Sequence, residues 1–265
     1  MSATVALDEA RAEAARWRFV LATDLDGTFL GGTDEHRLQL YRWIEAHRDG
    51  LGLIFVTGRD PHFIEGLCTD TAVPWPDFVV GDVGTTIAQM SPAGPGGRVS
   101  PIAELEEEIS AIWCDAGETV RAALDGHAGL TLQPTEFRYR VSYDYDPGAY
   151  DPRAEEIVAG MGHDHLISAD TYFDVLPKGV SKGPSLTRLV THLGLEPGRI
   201  LVAGDTMNDY SMFETAFHGV AVGGSEAPLL ARVADKPHVF KAEGIGAAGI
   251  MDAIAHFDLF DPTPR

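Results

Sequence analysis

At 265 residues the chain has room for one large domain or for a core carrying a smaller inserted one. Forty acidic residues against twenty basic ones leave a formal charge of −20. That balance disfavours nucleic-acid and anionic-membrane partners, which need basic surface to displace counterions. An anionic substrate must therefore be drawn in locally, by a metal or by a few placed cations. No apolar run approaches the roughly 18 residues of a membrane helix, and "MSATVALDEARAEAARW" at the start reads as a charged helix rather than a signal peptide. A soluble, cytoplasmic protein is expected. Cys68 and Cys114 show neither metal spacing nor a disulfide framework and read as two buried or half-buried thiols.

In chain order, "RFVLATDL" (18–25) is a short apolar run suited to a buried strand, and "HRLQLYRWIEAHRDG" (36–50) has apolar residues at helical spacing and closes on Gly50. "GLGLIFVTG" (50–58) and "PDFVVGDVG" (76–84) read as a second and third strand. The rhythm then breaks over 89–176. A Gly- and Pro-rich loop, "MSPAGPGGRVSP", leads into an acidic helix whose charges suit a solvated face. "LTLQPTEFRYRVSYDYD" (130–146) alternates like a strand, "DPRAEEIVAGMG" reads as a helix, and "LISADTYFDVLP" (166–177) as a further strand. "KGPSLTRLVTHLGLEPG" (182–198) is again helical, and "GRILVAGDT" (198–206) is a fourth core strand. Strands alternating with helices predict an α/β, Rossmann-like doubly wound parallel sheet over 1–88 and 177–265. The segment 89–176 is predicted to be an inserted α+β cap.

Polar groups fall at or just past the ends of the core strands: Asp24 and Asp26, Thr57 in "VTGRD", Lys182 in "SKGP", and Asp205 and Asp209 in "GDTMND". The carboxyl ends of strands in an open parallel sheet share one crevice, so residues far apart in sequence converge there. Singly, each has an ordinary reading: Asp-Gly-Thr is a common turn, Thr-Gly-Arg a strand-to-helix cap, and Asp209 a helix cap. The paired carboxylates Asp24 and Asp26 would repel unless a cation or a catalytic task separated their roles.

With "DLDGT", "VTGR", "SKG" and "GDTMND" in that order, the chain resembles the haloacid-dehalogenase-like hydrolases, in the branch with a large cap between the second and third motifs. "PDFVVGDVGTTI" (76–87), "RYRVSYD" (138–144) and "DVLPKGVSKG" (174–183) are similar to segments of the sucrose-phosphatase-like group, although "DLDGT" is the generic form of the first motif.

The resemblance implies a Mg2+-dependent phosphatase acting on a sugar phosphate through an aspartyl-phosphate intermediate. Asp24 is then the nucleophile and Asp26 the acid and base. Thr57 donates a hydrogen bond to a phosphoryl oxygen, and Lys182 neutralises the nucleophile and the phosphoryl group. The implied metal ligands are Asp24, Asp26 through its carbonyl and Asp205, with Asp209 and Asn208 either ligating directly or bonding to those ligands. Lys178 is the less apt catalytic lysine, because "SKG" opens a helix at Lys182.

Alternation along "EFRYRVSYDYD" places Arg138, Arg140 and Ser142 on one strand face, where arginines and a hydroxyl suit a sugar or a second anion. Arg140 and Ser142, with Gly58, Arg59, Thr57, Lys182 and Asn208, form the expected substrate-binding set. A phosphoryl-transferring sugar phosphomutase and a non-catalytic sugar-phosphate sensor are the alternatives. Mutases of the family usually carry a smaller cap between the first and second motifs, where this chain has only about 30 residues. The oligomeric state and the identity of the sugar are not legible.

Overall fold

The computed structural model describes residues 10–91, 99–135 and 137–264. The first residues of the N-terminal segment and most of the Gly/Pro-rich loop after Met90 lie outside them. The chain divides into two compact units, one running to Ala103 and resuming at Lys182, the other spanning Glu104–Ser181.

In the first unit, β1 (Phe19–Thr23), α1 (Asp34–Ala46), β2 (Leu51–Val56), α2 (Pro61–Asp70), β3 (Phe78–Gly81), β4 (Thr86–Met90) and β5 (Val99–Pro101) precede the insertion. The inserted unit holds most of α3 (Ala103–Trp113), then α4 (Gly117–Ala123), β6 (Leu130–Leu132), β7 (Val141–Tyr145), α5 (Arg153–Gly160), β8 (Asp164–Ser168) and β9 (Tyr172–Leu176). The first unit resumes with α6 (Lys182–Leu193), β10 (Ile200–Gly204), α7 (Tyr210–Phe213), β11 (His218–Gly223), α8 (Ala227–Arg232), β12 (Val239–Ile245) and α9 (Ala247–His256).

The core sheet has the order β12-β11-β10-β1-β2-β3-β4-β5. It is parallel from β12 to β3, and β4 and β5 are antiparallel. Every residue of β1, β2 and β10 is buried, as expected of strands covered on both faces. Each fully buried Leu or Phe there contributes about 1.5–3 kcal/mol. The helices start on local signals: Thr33 accepts from the His36 N–H to cap α1, and Asp60 caps α2 ahead of Pro61. The sequence reading missed β4, β5, β11 and β12. β5 is a three-residue edge strand without a buried position, and β12, after a buried Val239, alternates between half-buried and exposed positions.

The second unit is an antiparallel sheet of order β6-β7-β9-β8. Val141, Tyr143, Phe173 and Val175 on one face pack against Trp113, Val120, Ala154 and Val158. This is the inserted α+β cap. Several details correct the sequence reading. The run 130–146 is two strands joined by a non-strand segment, so Arg138 and Arg140 precede β7 rather than alternating within it. The run 166–177 is a hairpin whose turn residues Ala169 and Asp170 both take positive φ. Cys114 is exposed while Cys68 is buried.

Candidate active site

The first motif leaves β1 through a wide turn over Leu25–Phe29, with Gly27 at φ 79°. Leu25 and Phe29 are fully buried and nail both ends of this turn into the core. Phe29 packs on Tyr41 and Phe55 at ring-centroid distances of 4.8 and 5.0 Å, and the Tyr41 hydroxyl donates to the Phe29 carbonyl. The Asp24 N–H donates to the Ala203 carbonyl of β10, which sets the nucleophile candidate beside the fourth motif.

Lys182 opens α6 as a fully buried side chain. Its Nζ lies 2.7 Å from Asp24 Oδ1, 2.6 Å from Asp209 Oδ1 and 2.8 Å from Asn208 Oδ1. An ammonium has three protons, and these acceptors use all of them. Gly183 makes the approach possible, since a Cβ there would sit 1.9 Å from the Ser211 carbonyl oxygen. Asp209 Oδ2 accepts from the N–H groups of Asp205 and Thr206, so this buried carboxylate organises the turn that carries Asp205.

Asp24, Asp205 and Asp209 present oxygens within 4.8 Å of one another. Three carboxylates against the one ammonium of Lys182 leave two negative charges in excess, the charge a divalent cation balances. Burial pushes the Asp24 carboxyl well above its ordinary range, with Lys182 opposing and Asp209 and Asp205 adding to the rise. Asp205 is pushed up to about 6, first by burial, against the Thr28 hydrogen bond. Lys182 is pulled down by burial but held above its ordinary value by Asp209 and Asp24. All-oxygen donors of this kind suit Mg2+. A Cβ on Gly27 would lie 2.3 Å from Asp205 Oδ2, so the turn leaves room for the cluster only as glycine. The tri-aspartate cluster is thus positioned to chelate a divalent metal such as Mg2+.

Thr57 is buried at the end of β2, and its Oγ1 accepts from the Arg59 N–H. Arg59 reaches across to Asp26, and its guanidinium also lies 4.2 Å over the Phe63 ring. Two residues absent from the sequence-based set belong to this cluster. Thr28 donates to Asp205 Oδ1 at 2.7 Å. Glu226 accepts from the Met207 N–H at 2.8 Å while its own N–H donates to the Asp205 carbonyl. The signal for Thr28 was in "DLDGT" itself; Glu226 had none.

In the cap unit, Arg140, Ser142 and Asp174 are all buried. Arg140 Nη1 lies 3.3 Å from Asp174 Oδ1, which also accepts from the Ser142 hydroxyl, and the guanidinium stacks 3.6 Å over Phe137. Burial raises the Asp174 carboxyl despite Arg140. Asp174 was missed, because one acid inside "YFDVL" carries no signal until the register places it opposite Ser142. Arg138, by contrast, is exposed and paired with Glu106.

The family model for sucrose-6F-phosphate phosphohydrolase matches residues 17–258. The chain belongs to this family. It lies within the haloacid-dehalogenase-like superfamily, in the large-cap branch. Members of the sucrose-6F-phosphate phosphohydrolase family and its neighbours differ in length and in name. A glucosylglycerol-phosphate synthase from Pseudomonas anguilliseptica is 41% identical over 239 residues, 90% of this chain but 30% of the relative. Sucrose-phosphatase 1 from Nicotiana tabacum is 31% identical over 94% of the chain and 61% of its own length. The chain therefore spans between about a third and three-fifths of these two relatives. The sucrose-phosphatase of Synechocystis, solved with sucrose and phosphate, superposes with a TM-score of 0.80 at 27% identity, covering 91% of this chain and 98% of that one.

Proposed function

We propose that the protein is a Mg2+-dependent phosphatase of a glycosyl phosphomonoester. The observation that carries this reading is the convergence of Asp24, Lys182, Asp205 and Asp209 within hydrogen-bonding or ligating distance, with Asp26 two residues beyond the nucleophile. In the first step an Asp24 carboxylate oxygen bonds to phosphorus and the bond from phosphorus to the sugar oxygen breaks, with Asp26 protonating that oxygen. In the second, Asp26 takes a proton from water as the water attacks phosphorus, which frees Asp24 and inorganic phosphate. Lys182 holds Asp24 in place and offsets charge at the phosphoryl group, and Thr57 with the Gly58 N–H receives phosphoryl oxygens. Asp24, Asp205 and the Asp26 carbonyl would hold Mg2+, while Asp209 orients them with Asn208 beside it. Bound there, the metal supplies Lewis-acid charge to the phosphoryl oxygens.

The sugar is read by the cap, where Arg140 and Ser142 remain the candidates. Among glycosyl phosphates, a glycosylglycerol phosphate ranks first and sucrose phosphate next. The most identical of the relatives described is named for making a glucosylglycerol phosphate, and a unit like this one within a synthase would be placed to dephosphorylate its product. No helix among the described residues is long and apolar enough to cross a membrane; the cytoplasm is the proposed compartment. Phosphate release from a panel of glycosyl phosphates, with Mg2+ and with chelator, tests the reading. Turnover of none of them, or turnover indifferent to chelator, would refute it.

A further inference from the structure

Three consecutive residues beyond β3, Asp82, Val83 and Gly84, have φ of 51°, 59° and 99°. A β-branched residue in the left-handed region is a steric outlier, held only where the surroundings over-determine it. This loop is buried throughout, and its partners are specific. The N–H groups of Asp82 and Val83 donate to the carbonyls of Arg59 and Thr57, at 3.0 and 3.1 Å. The Thr57 N–H donates in turn to the Val80 carbonyl. On the other side, the Gly84 carbonyl accepts from the Ser185 hydroxyl at 2.7 Å, one turn into the helix that begins with Lys182. Asp82 itself is braced by Thr86 and by the Thr85 N–H and hydroxyl.

We infer that the loop 82–84 is a positioning element for the phosphoryl-binding groups, with Val83 as its positioning residue; this rests on the phosphatase reading. A planar trans peptide points its C=O and N–H in opposite directions. By holding the Thr57 carbonyl, Val83 turns the Gly58 N–H of the same peptide to the opposite side from the brace. The Val83 side chain closes the arrangement, with a methyl 3.7 Å from where a Cβ of Gly58 would stand. The same loop fastens α6 through Ser185, so the segments bearing Thr57 and Lys182 are set by one strained turn. Asp24 and Asp205, with Asp209 orienting them, lie on other segments and meet the loop's partners through Lys182 Nζ.

That separation makes the inference testable. Val83→Gly relieves the left-handed backbone and removes the wall over Gly58. Its melting temperature should stay close to that of wild type, because relief of the left-handed backbone offsets the loss of a buried valine side chain, and its Mg2+ affinity by calorimetry should lie within about twofold of wild type. Its inhibition constant for inorganic phosphate should rise by at least about tenfold. Val83→Ile, which keeps the branched side chain, should restore phosphate inhibition. Should Val83→Gly fail to fold, Val83→Ala, which also removes the methyl over Gly58, carries the same expectation of selectively weakened phosphate. Unchanged phosphate inhibition in the folded variant, or Mg2+ and phosphate affinities falling together, overturns the inference. A wild-type protein that neither hydrolyses glycosyl phosphates nor binds inorganic phosphate overturns the phosphatase reading, and this inference with it.

Discussion

Arg59 grips both carboxylate oxygens of Asp26, Nε to Oδ2 at 2.7 Å and Nη2 to Oδ1 at 2.9 Å. The fork fixes the orientation of the side chain proposed to move protons, and it joins the loop after β2 to the loop after β1. Both partners are about half exposed, so the pair adds little to stability. Arg59→Ala should shift the melting temperature by no more than the equivalent of about 1 kcal/mol. It should lower kcat/KM for a glycosyl phosphate by about tenfold or more, through loss of orientation. Unaltered kcat/KM would show that the fork is incidental to catalysis.

Lys182 tests the electrostatics of the cluster. Removing a buried ammonium leaves Asp24 and Asp209 without their shared cation, a change that costs about 3–5 kcal/mol. Lys182→Met should therefore melt well below wild type in chelator, and added Mg2+ should recover part of the difference. Equal melting with and without Mg2+ would contradict an excess of two negative charges in the cluster.

Gly27→Ala places a methyl against Asp205 Oδ2 at a residue whose φ is 79°. The backbone cost alone is about 1–2 kcal/mol. Mg2+ binding measured by calorimetry should be lost or greatly weakened while the far-ultraviolet spectrum is retained. Wild-type Mg2+ affinity in this variant would move the metal away from Asp205.

Arg140, expected from the sequence within a strand, precedes β7 and sits buried against Asp174 and Phe137. Arg140→Ala should accordingly destabilise the protein by about 3–5 kcal/mol, because Asp174 stays buried without its partner. The double variant Arg140→Met, Asp174→Leu should regain most of that stability. If the double variant also keeps wild-type kcat/KM on the preferred sugar phosphate, Arg140 is a cap brace and not a reader of the sugar.

Asp77 provides a pH signature away from the cluster. Its carboxyl accepts from the Leu53 N–H and faces Arg48, yet burial pushes it up to about 6 from 3.8. The folded state thus binds the proton more tightly than the unfolded state. Its stabilising contribution is complete below the unfolded value and is lost as the pH rises through about 6. It amounts to at most about 3 kcal/mol. In urea denaturation, the stability difference between wild type and Asp77→Asn should move against wild type between about pH 4 and about pH 7. A difference independent of pH would place the titration elsewhere.

Much of the site was legible because its groups sit where local patterns end. Asp24, Thr57 and Asp205 each follow an apolar strand, and Lys182 opens an amphipathic helix; a parallel sheet brings such ends together whatever the loops do. The same reasoning failed in the cap. There a long alternating run contained two strands and a connecting segment, and periodicity alone does not mark where pairing stops.

What the sequence by itself determined is the layer architecture, the inserted cap and the gathering of candidate polar groups at strand ends, since apolar periodicity and strand-end chemistry are local properties of the chain. Only the tertiary structure decided the pairings: Arg59 with Asp26, Thr28 with Asp205, Glu226 with the turn at Met207, and Asp174 with Arg140. These depend on strand register and on how segments far apart in sequence stack. A hydrogen bond across 177 residues, as between Thr28 and Asp205, leaves no trace in the order of either segment, because its geometry exists only once the sheet between them has formed.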